Sequence, residues 1–227
     1  MIDNSSMRFL YGDRELWLGV MDPLAARVEV IATSTNSLLE PADEIAHRIH
    51  AAAGDLMQKE KAQLLKEHGE IESGMAVFTT AGNLPYQSLI HAVVPLVNDD
   101  DQRGKIMQAV TNSLLLCETN DWASIAFSAI CVDHSEANIT TSAQAFYHAI
   151  TRFWDARFDC SVMKIMLCLT EQALQPFFHA FREQAHVPET DKPEVKEQKQ
   201  DIQSVGYVDL SEHDTDVADE EINDWFK

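Results

Sequence analysis

Apolar and polar positions along the chain change period several times, and each change predicts an element. Residues 7–12 and 15–20 read as short strands split by Gly12-Asp13. Val28-Glu29-Val30-Ile31-Ala32 predicts a mostly buried strand, followed by a polar turn at Thr33-Ser34-Thr35-Asn36-Ser37. From 42 to 67 the spacing becomes helical: Ile45, Ile49 and Ala53 share a face, and Leu56, Leu64 and Leu65 continue it around Gly54. Strands follow at 75–80 and 88–94, flanking Gly82-Asn83-Leu84-Pro85. Asp99-Asp100-Asp101 supplies N-terminal charge for a helix carrying Ile106, Val110, Leu114 and Cys117. A strand at 124–130 precedes a helix capped by Thr140 or Thr141, with Ala145, Ala149, Phe153 and Trp154 on one face. A strand at 162–169 and a helix at 171–184 complete the order. Strands alternating with helices predict an α/β fold of three layers, a mostly parallel sheet between helices. The two strands at the start make the sheet mixed.

At 227 residues and 45% hydrophobic, the chain can bury one substantial core. No run is long or apolar enough to span a bilayer. The N-terminus has no basic segment followed by an apolar core, so no secretory signal is expected. The four cysteines, Cys117, Cys131, Cys160 and Cys168, show neither C-x-x-C nor disulfide-scaffold spacing. Cys117, Cys160 and Cys168 sit in apolar runs as core residues. A reduced, intracellular and cytoplasmic chain is the simplest expectation.

Charge narrows the partners. Against 37 acids stand 17 basic residues, a formal net charge of −20. Phosphate backbones and anionic membranes bind basic surfaces, so neither a nucleic acid nor a membrane is expected as a partner. The same charge also serves solubility without any partner. The excess is uneven: residues 187–227 hold 13 acids and four lysines, −9 of the total. Two prolines and few apolar residues between 187 and 203 predict a solvated linker. The chain therefore divides into a domain at 1–185 and an acidic, flexible C-terminal tail at 186–227. The tail ends Asp219-Glu220-Glu221-Ile222-Asn223-Asp224-Trp225-Phe226-Lys227. Three readings of it stand together: a peptide for a protein partner's basic, apolar groove, a segment folded back on its own domain, or disorder.

The stretch EIESGMAVFTTAGNLPYQSLIHAVVP, residues 70–95, is the most specific signal. Gly74, Ala76, Thr79, Gly82, Leu84, Pro85, Ile90, His91 and Pro95 fall on the pattern G-x-A, Thr, Gly, L-P, V-I-H-x-V-G-P. In this the chain resembles the macrodomain family, the fold that binds ADP-ribose, and the order of elements agrees over residues 8–185. The resemblance implies a site for ADP-ribose or a related nucleotide. The family's N-A-A-N is here Thr33-Ser34-Thr35-Asn36, so Asn36 matches the second Asn, which lies near the distal ribose in hydrolysing members. His50 and Ala52-Ala53-Gly54 keep the family's spacing, but Ala46 stands where the hydrolase branch has an Asp. Alanine can neither take a proton nor hold a water. Asn36 and His50 are thus the catalytic candidates, without a carboxylate; alternatively His50 donates to a backbone carbonyl at the helix edge. Asp22 matches the family residue that holds the adenine amino group, or else forms a turn before Pro23. Gly82, Asp133 and Ser135 complete the ligand-binding candidates.

The family's two glycine-rich phosphate loops do not survive. The first reads Glu40-Pro41-Ala42-Asp43-Glu44, and the second Cys131-Val132-Asp133-His134-Ser135-Glu136. Glycine lets backbone N–H groups approach an anion closely; Pro41 removes a donor, and Asp43, Glu44, Asp133 and Glu136 add charge. Two unit charges ~5 Å apart repel by about 3 kcal/mol at an effective dielectric near 20, against about 8 kcal/mol for micromolar affinity. Carboxylates with His134 would suit a divalent cation if the loops meet, but no spacing among them is diagnostic, and neither a metal nor a cofactor is assigned. There is no P-loop, nucleophile elbow or H-E-x-x-H. Three functions follow in order: a degenerate macrodomain acting as a binding or interaction module, an ADP-ribose reader with rebuilt loops, and an ADP-ribosyl hydrolase.

Overall fold

The computed structural model describes residues 6–95, 99–128, 135–157 and 159–184. Seven strands form one sheet: β1 (Ser6–Tyr11), β2 (Arg14–Val20), β3 (Val30–Thr35), β4 (Ala76–Thr80), β5 (Ser88–Val93), β6 (Ser124–Ser128) and β7 (Lys164–Leu169). The helices are α1 (Glu44–Ala53), α2 (Asp55–His68), α3 (Gln102–Thr119), α4 (Glu136–Asp155) and α5 (Glu171–Gln184), with a 3-10 turn at Pro23–Ala25. The spatial order is β1-β2-β7-β6-β3-β5-β4. The pairs β2–β7, β7–β6, β6–β3 and β3–β5 are parallel, and the two edge strands, β1 and β4, are antiparallel to their neighbours. The sheet is mixed at both edges, because β4 also reverses.

Side-chain alternation along the strands sets the layers. On β3, Val30 and Ala32 join the large core with Ile106, Phe127, Phe146, Phe153 and Phe177, while Ile31 joins a smaller cluster with Ile49, Met57 and Leu89. Helices α3, α4 and α5 therefore cover one face, and α1 and α2 the other. β5 is buried along its whole length and is apolar at Leu89, Ile90, Ala92 and Val93, with Ser88 and His91 buried among them. Among the described residues no helix is long and apolar enough to cross a membrane.

Three expectations change. Thr33, Ser34 and Thr35 are not a turn: they extend β3, paired with His91, Ala92 and Val93, and are fully buried. Their hydroxyls hid a strand that sheet pairing sustains. The single helix expected at 42–67 is two, broken at Gly54 with φ +77°, a conformation that L side chains resist. Ser135, not Thr140 or Thr141, caps α4, its Oγ accepting from the Asn138 amide. That adds more than a turn to the helix. Residues 186–227 lie outside the described residues.

Candidate functional site

In an open α/β sheet, ligands bind beyond the C-terminal ends of the strands, where the strand order reverses. Here the reversal falls between β3 and β6. The segment linking β3 to α1 therefore flanks the crevice, and its hydrogen bonds decide what the crevice offers.

That segment is closed on itself. The Asn36 Oδ1 accepts from the amides of Leu38 (2.9 Å) and Glu40 (3.0 Å), and its Nδ2 donates to Glu40 Oε2 (3.2 Å). The Asn36 amide donates to the Glu40 carbonyl, and the Leu39 amide to the Asn36 carbonyl. Leu39 is forced to φ +56°, an uncommon region for a side chain of its size, and is held there by burial against Ile71 and Val93. The Ala42 amide donates to the Ser34 carbonyl, beside a bridge between Thr35 and Pro41. Asp43 then caps α1: Oδ1 accepts from the Ala46 amide (2.7 Å) and Oδ2 from the Ser34 hydroxyl (2.6 Å). A carboxylate of the chain itself occupies the helix N-terminus, the place where backbone N–H groups and the helix dipole favour an anion.

Beneath α1 lies a second polar feature. His50 is 3% exposed and His91 fully buried, with rings edge-on at 5.2 Å. Thr79 donates its hydroxyl to the Thr80 carbonyl (3.0 Å), so at 2.9 Å His91 Nε2 is the donor to Thr79 Oγ1. Neither ring nitrogen of His50 finds a partner among the described residues, nor does His91 Nδ1. Burial pushes His50 down to about 4, helped by the nearby Lys61 and His47 charges. Burial, then His50 and Lys61, push His91 down to about 3. Both rings are therefore neutral at neutral pH. His50 opens onto a pocket of about 550 Å³ lined also by Glu40, Pro41, His47, Gln58 and Lys61. Burial lowers the Lys61 ammonium, while Glu40 opposes that shift. The expectations from sequence missed His91, Lys61 and Ser34 as parts of a site. His91 lay inside a motif matched for fold, and Lys61 on a helix face that reads as solvated.

The expected site residues scatter. Asn36 and His50 share no hydrogen bond: the Asn36 amide is spent on its own loop, and the His50 ring lies edge-on to His91 with no bond to a backbone carbonyl among the described residues. Asp22 caps the turn at Pro23–Ala25 through the Leu24 amide and pairs with Arg48 on α1 at 2.7 Å. Gly82 sits at the opposite end of the sheet, since the β4–β5 connection lies at the N-terminal end of β5. There a Cβ would stand 2.0 Å from the Ala53 carbonyl oxygen, so Gly82 serves the packing of α1 and not the crevice. Ser135 caps α4. Asp133 and His134 lie outside the described residues. Among the described residues no group of three or more His, Cys, Asp or Glu side chains is placed to hold a metal ion.

A family model described as the Macro domain matches residues 32–146. The O-acetyl-ADP-ribose deacetylase of Klebsiella pneumoniae is 30% identical over 153 residues, covering 66% of this chain and 87% of that protein. The protein of the same name from Escherichia fergusonii is 37% identical over 105 residues, 45% of this chain and only 59% of that relative's length. Among solved structures, a point mutant of the Oceanobacillus iheyensis macrodomain superposes with a TM-score of 0.70 at 25% identity, covering 79% of this chain and 97% of that one.

Proposed function

Because the chain belongs to the Macro domain family, we propose that it is a recognition module whose anion loop has been rebuilt, with ADP-ribose affinity much weaker than micromolar and no ADP-ribosyl hydrolysis. The observation that carries this reading is the Asp43 carboxylate on the α1 N-terminus, hydrogen-bonded to Ser34 and to the Ala46 amide. A diphosphate competing for that position must displace an internal anion. It also meets a loop whose amides at Leu38, Leu39, Glu40 and Ala42 already have acceptors. Ala46, fully buried, stands where the family resemblance implies an Asp and offers no carboxylate to activate a water. The relatives' name, O-acetyl-ADP-ribose deacetylase, describes chemistry on an ADP-ribose ester; for this chain it supports the ligand class and not the reaction.

Calorimetric titration with ADP-ribose tests the proposal. The parent chain is expected to show no saturable micromolar binding. Asp43→Ser keeps a capping oxygen but removes the charge, and is expected to bind tighter than the parent. Micromolar binding by the parent would overturn the proposal in favour of a reader, and turnover abolished by Asn36→Ala would establish a hydrolase.

A further inference from the structure

On the other face of the sheet, α3 and α4 leave a groove of about 500 Å³ between them. Its floor is apolar: Met75, Met107, Ala149 and Phe153. Met75 is 47% exposed, among the few large apolar side chains left open to solvent in the described residues. Its charged lining is Arg152, Arg157 and Glu72. Arg157 lies over the Phe153 ring at 4.8 Å and pairs with Glu118 at 2.9 Å, which fixes its guanidinium at the groove's edge. Arg152 is exposed. The Ser73 hydroxyl, shielded from water at the groove, has no hydrogen-bond partner among the described residues. With Arg157 already paired to Glu118 and Glu72 also lining the groove, Arg152 beside an apolar floor is what the groove offers to an acidic segment with large apolar side chains.

The chain carries one. In Asp219-Glu220-Glu221-Ile222-Asn223-Asp224-Trp225-Phe226, the apolar residues stand at i, i+3 and i+4, the spacing that anchors a helix in a groove. Four of the remaining five residues are acids. We propose that the segment 219–226 of the same molecule docks in the α3–α4 groove, with Trp225, Phe226 and Ile222 over Met75, Met107 and Phe153 and its acids toward the exposed Arg152. Three observations select this occupant. The segment's acids complement the exposed Arg152. Buried aromatic rings dominate interface energetics and make favourable contacts with methionine sulfur. And α5 ends at Gln184, leaving 34 residues between it and Asp219. A linker of that length spans roughly 30 Å as a random chain, so it reaches any part of a domain this size and holds the segment at an effective concentration on the order of millimolar.

The test uses the full chain labelled at its methionine methyls, with Met75 and Met107 assigned by substitution to Leu. Trp225→Ala/Phe226→Ala is expected to move both resonances, since the ring currents of the indole and phenyl are removed, and the difference is expected to persist on tenfold dilution. Arg152→Glu, on an exposed position of the folded core, is expected to move the Met75 resonance in the same direction by repelling the acids. Unchanged Met75 and Met107 resonances in the double variant would overturn the proposal and leave the groove to a separate partner. A difference that vanishes on dilution would overturn it too, because the occupant would then be the tail of a second copy.

Discussion

The neutral histidine pair makes stability strongly dependent on pH, with a size that follows from its burial. An unfolded imidazole takes up its proton near pH 6.5, whereas His50 does so near 4 and His91 near 3. The folded state therefore binds fewer protons than the unfolded state between these values. The stabilisation is present in full above pH 6.5 and is lost as pH falls toward the folded values. At pH 5 both rings remain neutral in the fold while both are charged in the unfolded chain. Each then destabilises the fold by about 2 kcal/mol relative to pH 7. The two contributions add, because the mutual repulsion of His50 and His91 enters only when both are charged. A loss of about 4 kcal/mol is a large part of the 5–15 kcal/mol typical of a domain. Urea unfolding followed by tryptophan fluorescence at pH 7 and pH 5 measures it. His50→Gln removes one titrating group, and its fall between the two pH values is expected to be about 2 kcal/mol smaller than the parent's. Carboxylate titration is common to both chains and cancels in that difference. Equal falls in parent and variant would refute the reasoning, since they would place a proton acceptor for His50⁺ inside the fold.

Two further outcomes follow from packing. Gly82→Ala puts a methyl 2.0 Å from the Ala53 carbonyl at φ +62°, and is expected to destabilise by about 2 kcal/mol or more, read as a lower thermal midpoint; an unchanged midpoint would show that the α1–α2 junction yields. Burial holds the Cys117 and Cys168 thiols up at about 12 and raises that of Cys160. In a Cys131→Ser background these three are expected to react with a thiol reagent only on global unfolding, whereas rapid native-state labelling would contradict their place in the core.

Much of the fold was legible because apolar period and turn residues agree along most of the chain. Residues 171–184 read as a helix, and α5 has those bounds. The misreadings share a cause. Thr33-Ser34-Thr35 looks like a turn by composition, and only pairing with β5 shows why three buried hydroxyl residues belong to a strand. Gly54 sits inside a good helical stripe, and only its φ of +77°, with Asn83 so near that a Cβ would meet its Nδ2 at 2.5 Å, reveals that the helix breaks there. Local pattern carries propensity, and tertiary partners decide where it is overridden.

The candidate site was legible only through its departures from the family pattern. Acids stand where the family pattern has glycines, and charge repulsion is the effect on a phosphate that residue types alone suggest. The geometry supplies a different one for Asp43. Its carboxylate is a hydrogen-bonded cap, facing a helix N-terminus at 2.7 Å, so on the proposed function it would compete with an anion for that position instead of repelling it from across a gap. Repulsion between solvent-exposed charges is screened over a Debye length of about 10 Å at 0.1 M salt, whereas competition for the same N–H groups is not. If repulsion dominates, raising the salt recovers ADP-ribose binding in the parent chain. If occupation dominates, salt changes little and only removing the Asp43 carboxylate, as in Asp43→Ser, opens the position. The same logic accounts for Asn36 in a loop without the glycines. Its side chain accepts from two loop amides and donates to Glu40, so it is the hub of the closed loop and is held here by local hydrogen bonding, with no ribose needed to account for it.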